Sequence, residues 1–209
     1  RLSSIEPASV SDEIVDLMAT EERFARHFHI PMQSGSNAVL GRMKRRYSAE
    51  HFAGLIARIA DRVPGCGIGS DVICGFPGET ETDFQATFER LVELPVTYLH
   101  PFSYSVRPGS EAESFGDQVP AEVKKRRVQS LKRLARDKNR AFRERHVGET
   151  LQVLFEGKVN GGGCASGLSD NYLRVQAEGD ASDRVEPVRI TGVTEEGLDG
   201  ERIARAATA

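Results

Sequence analysis

Long apolar runs are missing from this chain of 209 residues: none approaches the roughly 18 residues that a membrane span requires. No charged-then-apolar leader opens it either, so the expected setting is cytoplasmic, with no membrane partner. Cysteine is scarce. Cys66, Cys74 and Cys164 are odd in number and stand 8 and 90 positions apart, which suits neither a disulfide framework nor a zinc site. Reduced thiols are expected, and no residue is expected to hold a metal. What is present is ordinary for a globular protein, 39% hydrophobic against 28% charged residues, which removes the collagen-like, disordered and disulfide-scaffold classes. The length fits one large domain or two small ones.

The net charge of -3 hides a division. From Pro120 to His146 there are eleven Lys or Arg against three acids, whereas Gly148 to Ala209 has six against eleven. A basic stretch therefore precedes an acidic one. The first residues, Arg1-Leu2-Ser3-Ser4-Ile5, have strand character with nothing ahead of them to pair with, from which we expect a piece of a longer protein.

Residues 1–119 alternate short strand signals with helical periodicity, the pattern of parallel βα units. Ser11, Asp12 and Glu13 open one helix, and Ser48 opens another with the stripe Phe52, Leu55, Ile56, Ile59 and Val63, ended by Pro64-Gly65. Strands are expected around His27 to Ile30, Gly67 to Cys74 and Val96 to Tyr104. Between the last two, Pro77-Gly78 suits the centre of a type II turn, and Thr80 to Asp83 has the form of a capping box. Pro120 fits the first position of a long helix through residue 147, one face apolar and the rest mostly Lys or Arg. Strand signals over Leu151 to Glu156, Asn171 to Val175, Val185 to Val193 and Leu198 to Ile203, with a Gly161-Gly162-Gly163 turn, point to a small barrel over 148–209. A complete eightfold βα barrel needs about 250 residues, so the first part is an open α/β layer or the later half of such a barrel.

Strand exits are where βα folds collect functional groups. Gly75-Phe76-Pro77-Gly78-Glu79 occupies one, where glycine lets backbone approach a flat ligand; a turn followed by a helix cap explains the same residues. His29-Ile30-Pro31-Met32-Gln33-Ser34-Gly35-Ser36 occupies another, although a lone histidine such as His29 is commonly a satisfied core group. Arg42, Lys44, Arg45 and Arg46 could grip a carboxylate or phosphate through forked donors, or simply end a helix in solvent. Lys124, Lys125, Arg126 and Arg127 offer a track for a phosphate backbone, or a solvated helix face. Tyr172, beside Asn171 and Arg174, could stack on an RNA base.

Taken in order, Arg1 to Pro7, His29 to Ser36, Met43-Lys44-Arg45-Arg46-Tyr47, Asp71 to Thr80 and Tyr98 to Ser105 resemble the radical S-adenosylmethionine methylthiotransferases, and Gly167 to Tyr172 resembles the small RNA-binding TRAM barrel that closes them. The segments Leu2-Ser3-Ser4-Ile5-Glu6-Pro7 and Leu99-His100-Pro101-Phe102-Ser103-Tyr104-Ser105 are most similar to the branch acting on threonylcarbamoyladenosine in tRNA. The resemblance implies an α/β fold: the C-terminal half of a radical barrel over 1–119, a basic linker helix over 120–147 and a TRAM-like, OB-like β-barrel over 148–209. It implies addition of a methylthio group to C2 of the modified adenine next to the anticodon, with the tRNA anticodon stem-loop as partner. It places S-adenosylmethionine near Gln33, Ser34, Gly75, Phe76, Pro77, Gly78 and Glu79, with Arg45 on its carboxylate, and the tRNA near Lys124 to Arg127, Asn171, Tyr172 and Arg174.

The family holds its 4Fe-4S cluster with a Cys-x-x-x-Cys-x-x-Cys motif that this sequence lacks, along with the Gly-Gly-Glu segment and the N-terminal domain carrying a second cluster. The chain is thus expected to lack the cluster ligands and any catalytic residue, to need the missing N-terminal part of the same enzyme, and to be inactive alone. Its rivals are a stand-alone RNA-binding module, the sister branches acting on isopentenyladenosine tRNA or a ribosomal-protein aspartate, and more remotely a hydrolase or lyase.

Overall fold

The computed structural model describes residues 1–156, 163–180 and 182–203. Gly161 and Gly162 of the expected glycine turn lie outside them. Helix α1 (Asp12–Thr20) starts where the Ser11 hydroxyl accepts from the Ile14 N–H, and its acidic first turn complements the helix dipole. Strand β1 (His27–His29) follows, then a short helix α2 (Asn37–Arg42), capped by Ser36, for which the sequence carries no clear periodic signal. Helix α3 (Ala49–Arg62) carries the expected stripe, with Phe52, Leu55, Ile56 and Ile59 fully buried. Each such side chain contributes about 1.5–3 kcal/mol by leaving water. Strand β2 (Gly67–Cys74), helix α4 (Glu81–Glu93) with its complete Thr80/Asp83 capping box, and strand β3 (Tyr98–Ser103) complete the pattern.

The three strands form a parallel sheet in the order β1-β2-β3. Leu2 makes an isolated parallel bridge to Phe28, so the opening residues do find a partner, although they form no strand. One face of the sheet, with Phe28, Ile68, Val72 and Leu99, packs on the helices. The other carries His27, His29, Tyr98, His100 and Phe102, rings in successive contact. A parallel sheet is usually apolar on both faces. Here the second face is polar and aromatic, and His100 and Phe102 are exposed.

Helix α5 (Ala121–Glu144) has Pro120 as its N-cap, one position before the place expected for it, because the proline φ and its missing N–H suit the chain just ahead of the first turn. Five strands then close into a barrel, β4 (Thr150–Phe155), β5 (Cys164–Ser169), β6 (Arg174–Glu178), β7 (Val185–Val193) and β8 (Leu198–Arg202), in the order β4-β5-β6-β8-β7. Strand β5 has no counterpart among the strands expected from sequence, and Asn171 and Tyr172 lie in the turn before β6 rather than in a strand. No helix among the described residues is long and apolar enough to cross a membrane.

The barrel docks on β2 through that turn. A Cβ at Gly67 would collide with the Asn171 backbone oxygen, and one at Gly69 with the Tyr98 ring, so glycine is what lets both approach. Arg26 Nε reaches Asp170 Oδ2 at 2.7 Å across the same seam.

Candidate functional site

Strand β2 runs out into the Gly75–Glu79 segment. Glu79 N–H donates to the Phe76 carbonyl at 2.9 Å and Gly78 has φ +76°, the type II geometry that the Pro-Gly pair predicts. Gly75 also has positive φ, and the Lys124 side chain lies where its Cβ would stand. The Arg42 guanidinium occupies the equivalent space at Gly78 and donates to the Gly78 and Pro77 carbonyls. Basic side chains thus clamp the turn from two sides.

A buried ion pair fixes it from behind. Glu79 Oε2 accepts from Gly75 N–H at 2.7 Å and from Arg127 Nη1 at 2.6 Å, while Arg127 Nη2 reaches Glu81 Oε2 at 2.9 Å. The side chains of Arg127 and Glu79 are 4% and 1% exposed. Burial pushes the Glu79 carboxyl above its usual range, opposed by the Gly75 N–H and the Arg127 charge. Glu79 therefore holds the turn instead of facing a ligand, and Arg127, expected on an RNA-binding face, is enclosed in the protein.

In front of the turn is a cleft of about 230 Å³ lined by Arg42, Lys44, Arg45, Ile73, Phe76, Tyr104 and Phe115. Phe76 meets Tyr104 and Phe115 edge-on at 5.1 and 6.2 Å between centroids, giving an aromatic wall. Tyr104 Oη is buried with no hydrogen-bond partner among the described residues. On the rim, Lys44 pairs with Glu111, and Arg45 Nη1 with Glu6 Oε1 at 2.6 Å. Gln33, at φ +62°, bridges β2 through its backbone: its N–H donates to Asp71 O, and its carbonyl accepts from Ile73 N–H. Ser34 is buried and turns toward Thr87 Oγ1 on α4, 3.3 Å away. Of the residues expected around a cofactor, Phe76 and Arg45 line the cleft, Gly75, Pro77 and Gly78 shape the turn, and Ser34 and Glu79 point into the protein. Tyr104 and Phe115 escape sequence reasoning; Phe115 sits in a turn-rich stretch with no periodicity to betray it.

Along α5, Lys124 donates to the Tyr104 carbonyl at 3.2 Å, and Lys125 and Arg126 are exposed, the latter 3.2 Å from Glu81. Lys132, Arg133, Arg136 and Arg140 continue this outer face. Lys138 is different: it caps α4 through the Val92 and Leu94 carbonyls at 3.0 and 2.7 Å, and burial lowers its pKa.

In the barrel, Asn171 is buried, with Nδ2 3.1 Å from both Gly65 O and His146 Nε2. Tyr172, at φ +72°, stacks on His27 and Tyr98 at 4.4 and 5.3 Å, with the Arg1 guanidinium 5.0 Å from its ring centroid. Both residues serve the seam between barrel and sheet. Arg174 is exposed and 3.5 Å from Ser166 Oγ.

The cysteines do not make a cluster site. Cys66 and Cys74 are buried, their thiols pushed up to about 12 by burial, and Cys164 is in the barrel. Among the described residues no three thiolates converge, so this set does not fit an iron-sulfur cluster, and no reaction step is derived through one.

Residues 2–91 match the Radical SAM superfamily. Over 181 residues the chain is 38% identical to the threonylcarbamoyladenosine tRNA methylthiotransferase MtaB of Aquifex aeolicus (strain VF5), an overlap covering 86% of this chain and 42% of that protein. It is 36% identical over 195 residues to the tRNA-2-methylthio-N(6)-dimethylallyladenosine synthase of Pelotomaculum thermopropionicum, with coverage of 92% and 44%. The solved structure of coproporphyrinogen III oxidase (HemN) from Escherichia coli, a radical SAM enzyme, is similar with a TM-score of 0.55 at 19% identity, over 66% of this chain and 32% of that one; this likeness concerns the fold alone. The chain spans less than half the length of these curated relatives.

Proposed function

From this chain's kinship with the radical S-adenosylmethionine methylthiotransferases, we propose that it forms the later part of a tRNA methylthiotransferase, walling the cofactor site and presenting the tRNA. The proposed substrate is threonylcarbamoyladenosine next to the anticodon, met in the cytoplasm; the dimethylallyladenosine branch is the alternative, since relatives bearing both names match at similar identity. The observation that carries the reading is the clamped glycine turn at the end of β2, facing a cleft that is aromatic on one side and cationic on its rim.

The donor set suits S-adenosylmethionine: Phe76 and Tyr104 for the adenosyl group, the unpartnered Tyr104 Oη as a polar contact, and Arg45, freed from Glu6, for the carboxylate. When bound, that cofactor supplies the methyl group and the radical chemistry. The chain's own residues orient it and exclude water along the aromatic wall. We assign 1–119 as the closing half of a radical barrel, 120–147 as the basic linker and 148–209 as a TRAM-like barrel, with the exposed faces of α5 and Arg174 toward the tRNA.

Calorimetric titration with S-adenosylmethionine should show saturable binding, weakened at least tenfold by Phe76→Ala and by Arg45→Ala; no binding at millimolar ligand would refute the cofactor assignment. Substituting Lys125, Lys132, Arg133 and Arg136 with Gln should lower the salt slope of tRNA binding by about 3, since each phosphate neutralised by a cation adds about 0.7–0.9 to that slope. An unaltered slope would remove α5 from the interface. The rival is an RNA-binding module without the chemistry, whose signature is salt-sensitive tRNA binding with no cofactor binding.

A further inference from the structure

The open face of the sheet carries a second constellation, apart from the cleft. His29 on β1, Asp71 on β2 and His100 on β3 sit on three adjacent parallel strands; Asp71 is paired in register with His100, and His29 is opposite Gly69, two residues earlier on the same face. Neighbouring strands lie about 4.8 Å apart, so side chains at these positions converge. One ligand atom from each lies within 4.8 Å of the others, and His29 Nε2 is 3.0 Å from Asp71 Oδ1. None of the three lines the cofactor cleft.

We propose that His29, Asp71 and His100 bind a divalent transition-metal cation, zinc above all. Two imidazole nitrogens and one carboxylate oxygen match the donors zinc takes when three protein ligands leave a position for water. The surroundings favour a formed site. The Ser4 hydroxyl is 3.3 Å from His29 Nδ1, and a hydrogen bond donated from Nδ1 fixes the tautomer that turns the Nε2 lone pair toward the ion. Tyr98 lies nearly parallel to His29 and meets the exposed His100 ring edge-on at 5.3 Å. Burial grades from the enclosed His29 through the half-buried Asp71 to the exposed His100, so the ion has a fixed floor and an open approach. Ligand bonds of about 2.0–2.1 Å require donor separations of about 3.3 Å. Closing the remaining distance is a side-chain rotation for His100, which has the room to make it.

Zinc chloride titration of the tag-free chain, followed by calorimetry, tests this. The expected result is saturation at one equivalent, weakened at least tenfold by His100→Gln and by Asp71→Asn and unchanged by His51→Gln on the exposed face of α3. Zinc should also raise the melting temperature of the parent chain and not of the first two variants, whose zinc-free melting confirms that they fold. No saturable binding, or binding that survives both His100→Gln and Asp71→Asn undiminished, would overturn the proposal. The S-adenosylmethionine titration is a separate readout, so the metal site and the cofactor cleft can fail independently.

Discussion

Arg127→Met is expected to destabilise the chain by about 3–5 kcal/mol, because it strips the partner from a carboxylate that water cannot reach. Glu79 and Arg127 are both buried, and Glu79 is also the acceptor for the Gly75 N–H that begins the turn. The loss therefore spreads from the ion pair to the loop in front of it. The double variant Glu79→Gln, Arg127→Met should recover a large share of that stability, since it removes both charges while the amide oxygen can still accept from Gly75. Urea unfolding of the two variants and the parent gives the comparison. A loss below about 1 kcal/mol for Arg127→Met would show that the pair is solvated and that the turn is held by other means. Glu81→Gln should cost far less, being mostly exposed, even though it reaches the same guanidinium.

The second large effect is one of acidity. Burial, followed by the charge of Arg1, lowers the pKa of His27 from 6.5 to about 3. The ring is buried and stacks on Tyr172 at 4.4 Å, with Nε2 2.7 Å from Tyr98 Oη. The geometry fits an Nε2–H donated to the phenol oxygen, leaving the lone pair on Nδ1, which is buried with no partner among the described residues. A folded pKa below the unfolded one means that the denatured chain takes up the proton first as the pH drops. This contribution to stability is therefore complete above about pH 6.5 and is lost progressively toward pH 3, amounting to about 2–3 kcal/mol by pH 4.5. His27→Phe keeps the stacking and cannot titrate. The difference in unfolding free energy between parent and variant should shift in favour of the variant between pH 7 and 4.5; a difference independent of pH would mean that His27 is protonated inside the fold.

What could be read from the sequence was local. The Ser48 cap and the Phe52 to Ile59 stripe define α3 because both signals lie within four residues of their partners. The same holds for the Thr80/Asp83 box and the Pro77-Gly78 turn. What could not be read depends on distant chain. Arg127 sits amid Lys124, Lys125 and Arg126 and looks solvated until Glu79, 48 residues away, is folded against it. Strand β5 is Cys-Ala-Ser-Gly-Leu-Ser, whose inward positions Ala165, Gly167 and Ser169 are too small to give a hydrophobic alternation; the barrel supplies the burial that the sequence does not announce. Asn171 and Tyr172 have the composition of a display loop, and only the bare backbone at Gly67 shows that Asn171 is packed inward, while the Tyr172 ring covers His27 and keeps an exposed edge.

That last contact sets the working dimensions of the molecule. With the Asn171 carbonyl seated where β2 has no side chain, and Arg26 tied to Asp170 beside it, the barrel is registered on the very strand whose far end opens into the cleft. A polymer gripped by the barrel's outer wall would be held at one span and bearing from the strand exit, as by a caliper whose jaws share a single bar.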